Sequence, residues 1–184
     1  MEAGKTGKVR MPNNFDIVSM DDLHRTLGLA VSKSVDIVPR RKKIYLAGPW
    51  FDERSIQFYD AVTNIYSLVQ ERSVYDLICP RYNVNETPNA AFNNNVSDIQ
   101  SCDVVVAMVS RKDVGTAWEL GYAYSLGKKI YLLGYDESTF LSHTNVMLAF
   151  TGRCFTINHW AEFLIDKLDS VDFVQIRDEW EGIE

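Results

Sequence analysis

The chain has 184 residues, a net charge of −6, and hydrophobic and charged shares of 46% and 24%. That is the composition of an ordinary globular domain, long enough for one substantial core. The acidic balance argues against an extended nucleic-acid surface. No apolar run approaches the ~18 residues of a membrane span, and the N-terminus lacks a signal-peptide core, so a cytoplasmic protein is expected.

Residues 1–42 read as an N-terminal extension, partly mobile at Lys5, Lys8 and Arg10, with one short helix possible from Ser19 to Ala30. The basic run Arg40-Arg41-Lys42-Lys43 reads as a solvated approach to the first strand. From residue 43 to 184 the pattern is that of a single α/β domain. Ile44-Tyr45-Leu46-Ala47 is a first strand, broken by Gly48-Pro49. Glu53 to Arg72 follows as a helix, with Ile56, Tyr59, Val62, Tyr66 and Val69 at helical spacing. Val74 to Cys79 is a second strand, and a polar loop from Arg81 leads into a helix ending at Ser101. Asp103 to Val109 is a third strand, rich in β-branched residues as buried parallel strands are. A turn at Asp113-Val114-Gly115 opens a helix ended by Gly127, and Ile130 to Leu133 is the fourth strand. Thr144 to Phe150 suits a short helix, Cys154 to Ile157 a fifth strand and His159 to Leu168 a closing helix. Alternating strands and helices predict a doubly wound sheet of about five parallel strands with helices on both faces.

The three cysteines, Cys79, Cys102 and Cys154, are widely spaced and flanked by apolar residues, as reduced core thiols are. No G-x-G-x-x-G, phosphate loop, H-E-x-x-H or G-x-S-x-G occurs, so neither cofactor-binding nor metal-dependent chemistry is indicated. Two stretches lie where chains leave the carboxyl ends of strands, the place where open α/β sheets bind ligands. One is Asp113 to Gly127, carrying Asp113 and Glu119; the other is Gly48-Pro49-Trp50-Phe51, whose adjacent aromatics suit stacking on a planar base. For Glu119 two readings stand. It is either a nucleophile or base with Asp113 as its acid partner, or the last member of a capping box begun by Thr116. Asp113 likewise either takes part in chemistry or simply initiates the turn.

The segments Lys43 to Phe51 and Asp113 to Gly121, with Asn145-Val146-Met147 as a late element, resemble the nucleoside 2-deoxyribosyltransferases. The resemblance covers roughly residues 43–160. It implies a flavodoxin-like sheet and exchange of the purine or pyrimidine base of a 2′-deoxyribonucleoside for a free nucleobase, without metal or redox cofactor. It further implies Glu119 as the nucleophile, Asp113 as a base contact and proton carrier, and Tyr45 as the hydroxyl that holds Glu119. Gly48, Trp50, Phe51, Asn95, Gly115, Asn145 and Met147 would contact substrate. Asn145 would reach the site of a neighbouring subunit, which implies a homo-oligomer, dimer-based and up to a hexamer. One departure stands out: the family's Asn-Asn-Asp stretch ends here in Asn95, which cannot serve as a general acid. A 2′-deoxynucleoside 5′-monophosphate N-glycosidase and a non-catalytic nucleoside- or nucleotide-sensing module are the rival readings. The first needs phosphate ligands, for which Arg54 is the nearest residue; the second needs Glu119 only as a cap.

Overall fold

Ile44, Leu46, Tyr45 and Ala47 are all buried, which a strand achieves only at the centre of a sheet covered on both faces. In the computed structural model, which describes residues 40–82, 86–109, 113–142 and 146–176, that strand is β1 (Lys42–Ala47). It is followed by α1 (Glu53–Val69), β2 (Tyr75–Ile78), α2 (Pro88–Ser101), β3 (Val104–Met108), α3 (Val114–Ser125) and β4 (Lys129–Gly134). Then come α4 (Ser138–Ser142), α5 (Val146–Ala149), β5 (Arg153–Thr156), α6 (Trp160–Leu164) and β6 (Phe173–Val174). The strand order is β2-β1-β3-β4-β5-β6, parallel throughout except for the β5–β6 pair. The first five strands thus have the 2-1-3-4-5 order of the flavodoxin-like fold, with the chain reversing direction across the sheet between β1 and β3. The expected helix from Ser19 to Ala30 lies outside the described residues.

Period-2 alternation sorts the strand side chains onto two helical layers. Tyr45, Ala47, Val105, Ala107, Ile130 and Leu132 join one cluster with Ile99 of α2 and Leu120 and Ala123 of α3. On the other face Phe155 and Tyr131 meet Phe163 of α6, with ring centroids 5.1 and 4.8 Å apart. Trp160 Nε1 donates to the Val62 carbonyl at 3.0 Å, tying α6 to α1. Cys79, Cys102 and Cys154 are free thiols.

Four boundaries differ from expectation, each for a local reason. The tail contributes a sixth strand, antiparallel to β5, where Phe173 lies under the Arg153 guanidinium at 3.4 Å. The closing helix stops at Leu164, and two residues later Asp166 takes a φ of 61°, which no helix continues. The polar connection after β4 holds the unexpected α4, started by Asp136, whose carboxylate accepts from the Thr139 N–H and the Ser138 hydroxyl. Helix α1 ends at Val69 rather than Arg72, and the Arg72 and Ser73 N–H groups turn back onto the Val69 carbonyl.

Candidate active site

The first and third parallel strands lie side by side, with Tyr45 level with Val105 and Ala47 with Ala107. Their carboxyl ends therefore open at the same edge, and the segments after them converge there. Gly48 packs closely on β3: a Cβ at this position would stand 3.0 Å from the Met108 Cβ and would displace the end of that side chain. The β1–α1 turn can thus lie flat on β3. Beyond it, Trp50 and Phe51 stand with ring centroids 4.9 Å apart, and Phe51 is 71% exposed.

Asp113 is the N-cap of α3. Its Oδ2 accepts from the Thr116 N–H at 2.6 Å and from the Thr116 hydroxyl at 2.7 Å. Gly115 leaves room for this fold-back, since a Cβ there would stand 3.1 Å from Oδ2. The cap settles the alternative raised by the Thr116-to-Glu119 spacing. Thr116 is three residues into the helix, not at its start, and Glu119 lies a turn further on, too deep to reach the cap. The capping-box reading of Glu119 is corrected accordingly.

The carboxylate of Glu119 crosses instead to β1, where the Tyr45 hydroxyl donates to Oε1 at 2.6 Å. Asn95 Nδ2, one helix away on α2, adds a long contact of 3.5 Å to the same oxygen. No described residue donates to Oε2, and the half-buried residue lines a cleft of about 330 Å³. Burial raises the Glu119 pKa to about 7; the Tyr45 hydrogen bond pulls it down and the nearby Asp113 carboxylate pushes it up. Burial first, and then the Glu119 carboxylate, hold the Tyr45 hydroxyl well above its ordinary pKa, so it remains a donor.

The cleft brings together Gly48, Trp50, Phe51, Asn95, Asp113, Gly115 and Glu119 of the residues singled out from sequence, with Tyr45 beneath as the anchor of Glu119. Met147 is not among the lining residues; it is 77% exposed on α5. Asn145 lies outside the described residues. Sequence reasoning missed Tyr59, Arg81, Glu86 and Thr116, all of which line the cleft. Tyr59 was legible only as part of the buried face of α1, and Arg81 and Glu86 flank a polar stretch without periodicity. Arg54 does not line the cleft; its guanidinium lies 5.9 Å from the centroid of the Tyr135 ring.

The profile of the family described as nucleoside 2-deoxyribosyltransferase matches residues 44–169. Among solved structures, a 2-deoxyribosyltransferase from Bacillus psychrosaccharolyticus is similar at 24% identity and a TM-score of 0.53, over 71% of this chain and 92% of that one. A conserved protein from Enterococcus faecalis V583 is similar at 21% identity and a TM-score of 0.54, over 70% and 99%. A CMP N-glycosidase from Clostridium botulinum aligns at 21% identity and a TM-score of 0.49, over 70% and 98%. No curated protein matches the chain. At these identities the first two structures establish the fold, while the profile spans most of the α/β domain and includes Tyr45, Asp113 and Glu119: the chain belongs to the nucleoside 2-deoxyribosyltransferase family.

Proposed function

We propose that the protein transfers 2′-deoxyribose between nucleobases through a covalent intermediate on Glu119. The observation that carries this reading is the division of labour within one carboxylate. Oε1 is held by Tyr45 at 2.6 Å, and Oε2 has no donor among the described residues in a cleft-lining side chain. In the proposed first step a Glu119 oxygen attacks the anomeric carbon. The bond from that carbon to the base nitrogen breaks, its electron pair leaves with the base, and the base takes up a proton relayed through Asp113. A second base then attacks the anomeric carbon from the vacated side, gives up its proton and releases Glu119, with net retention. Trp50 and Phe51 offer apolar faces to the incoming base, which helps it compete with water.

Transfer, rather than hydrolysis of a nucleoside monophosphate, is favoured by the charges around the cleft. Among the described residues the one lining cation, Arg81, is already paired with Asp60, whereas Glu86, Asp113 and Glu119 are acidic. From these described residues a phosphate would meet more repulsion than attraction. The test is to incubate the protein with thymidine and adenine. Deoxyadenosine and thymine should form, and Glu119→Ala should lower the rate on the order of 10³-fold or more. Free deoxyribose accumulating equally with and without adenine would refute transfer.

The proposal extends to a homo-oligomer in which Asn145 completes a neighbour's site. Sedimentation should then show a multimer, and Asn145→Ala should reduce exchange within it. A fully active monomer would contradict sharing.

A further inference from the structure

Glu86 stands immediately before α2 yet does not cap it; that role belongs to Thr87, whose hydroxyl accepts from the Ala90 N–H. Instead, Asn94 Nδ2 donates to Glu86 Oε1 at 2.8 Å. Its other oxygen, Oε2, is shielded from solvent and accepts no hydrogen bond from the described residues. Burying an acceptor without a donor is costly, and in native proteins such exceptions call for a reason, a catalytic role among them.

The position of Glu86 supplies a reason. It lines the same cleft as Glu119, Trp50 and Phe51. A base stacked on the aromatics, with its glycosidic nitrogen directed to the sugar at Glu119, turns its edge to the remaining walls. Oε2 itself is shielded from solvent, so meeting that edge takes a turn of the last glutamate torsion, which is broad and soft. An ionised carboxylate accepts hydrogen bonds and donates none. It therefore attracts an exocyclic amino group and repels a carbonyl oxygen at the same place.

We propose that Glu86 is the base-selecting residue and favours amino-bearing bases, such as adenine and cytosine, over their oxo counterparts, hypoxanthine and uracil. This rests on reading the cleft as the deoxyribosyl-transfer site. Asn94 is a positioning residue: it acts by holding Glu86.

Calorimetric binding of the four free bases to the full chain tests the assignment independently of turnover. The wild-type protein should bind adenine over hypoxanthine, and cytosine over uracil, by about tenfold or more. Glu86→Gln, whose amide both donates and accepts, should bring each ratio close to one, and Asn94→Ala should lower both ratios without abolishing them. Circular dichroism melting checks that each variant is folded. Absence of the preference in the wild-type protein, or its full retention in Glu86→Gln, overturns the proposal; if that variant does not fold, the wild-type ratios and Asn94→Ala decide. Selective binding without base exchange would instead sink only the transferase reading, and exchange without selectivity would sink only the role of Glu86.

Discussion

Glu119 is poised between two protonation states at neutral pH. Attack on a carbon requires the ionised form, so kcat/KM should fall as pH drops below about 7, the value to which burial raises this carboxyl. Tyr45 works against that rise by donating to the carboxylate. Tyr45→Phe removes the donor, so the acid limb should move to higher pH and the pH-independent rate should fall as well, since Oε1 loses its anchor. A pH–rate profile of both proteins checks this; an unmoved limb would mean that Tyr45 does not tune Glu119. The two residues are 74 positions apart, and sequence alone offered Glu119 an equally good local partner in Thr116. The hydroxyl of Thr116 is in fact spent on Asp113.

At the scale of the element, the proposed reaction gives helix α3 a chemical load at its N-cap beside the structural one. Asp113 closes the N-terminus through Oδ2, and the same side chain lines the cleft. Replacement by asparagine separates these loads, because an amide oxygen caps a helix about as well as a carboxylate but is a poor proton carrier. Asp113→Asn should keep its melting temperature within a few degrees while losing on the order of 10²-fold in turnover. Asp113→Ala should lose the cap as well, at about 1 kcal/mol. Wild-type turnover in the asparagine variant would leave Asp113 as a cap alone. At its other end α3 finishes with Gly127 at a φ of 66°, the left-handed position that glycine takes without strain.

For the whole molecule, the raised pKa of Glu119 has a sign that stability measurements can read. An unfolded glutamate titrates near 4.5, the folded one near 7. Between these values the native state binds the extra proton, so stability falls as pH rises through that window and stays lower above it. Glu119→Gln removes the ionisation. Its melting temperature should exceed that of the wild-type protein at pH 8, by an amount of order 1–3 kcal/mol in free energy, and the two should converge toward pH 4.5. Parallel melting curves across this range would mean that the carboxylate is not held against its solvation. Such a cost is expected where a group is arranged for reaction rather than for stability.

What the sequence by itself determined is the part governed by local periodicity and short motifs. The apolar runs at residues 44–47 and 103–109 and the helical spacing of Tyr59, Val62 and Val69 identified the alternating elements. The motifs around Gly48 and Asp113 were legible because both follow strands directly. The fifth parallel strand was legible for the same reason, whereas the antiparallel sixth was not: a two-residue strand at Phe173–Val174 has no period of its own. Only the tertiary structure decided which partner Glu119 takes. That choice depends on β1 and β3 lying side by side, so that Tyr45 emerges under α3. It also decided that Arg81 and Glu86 belong to the cleft and that Met147 is not among the residues lining it. Long-range contacts of this kind are set by how the sheet winds and how its layers close, which no window of neighbouring residues records.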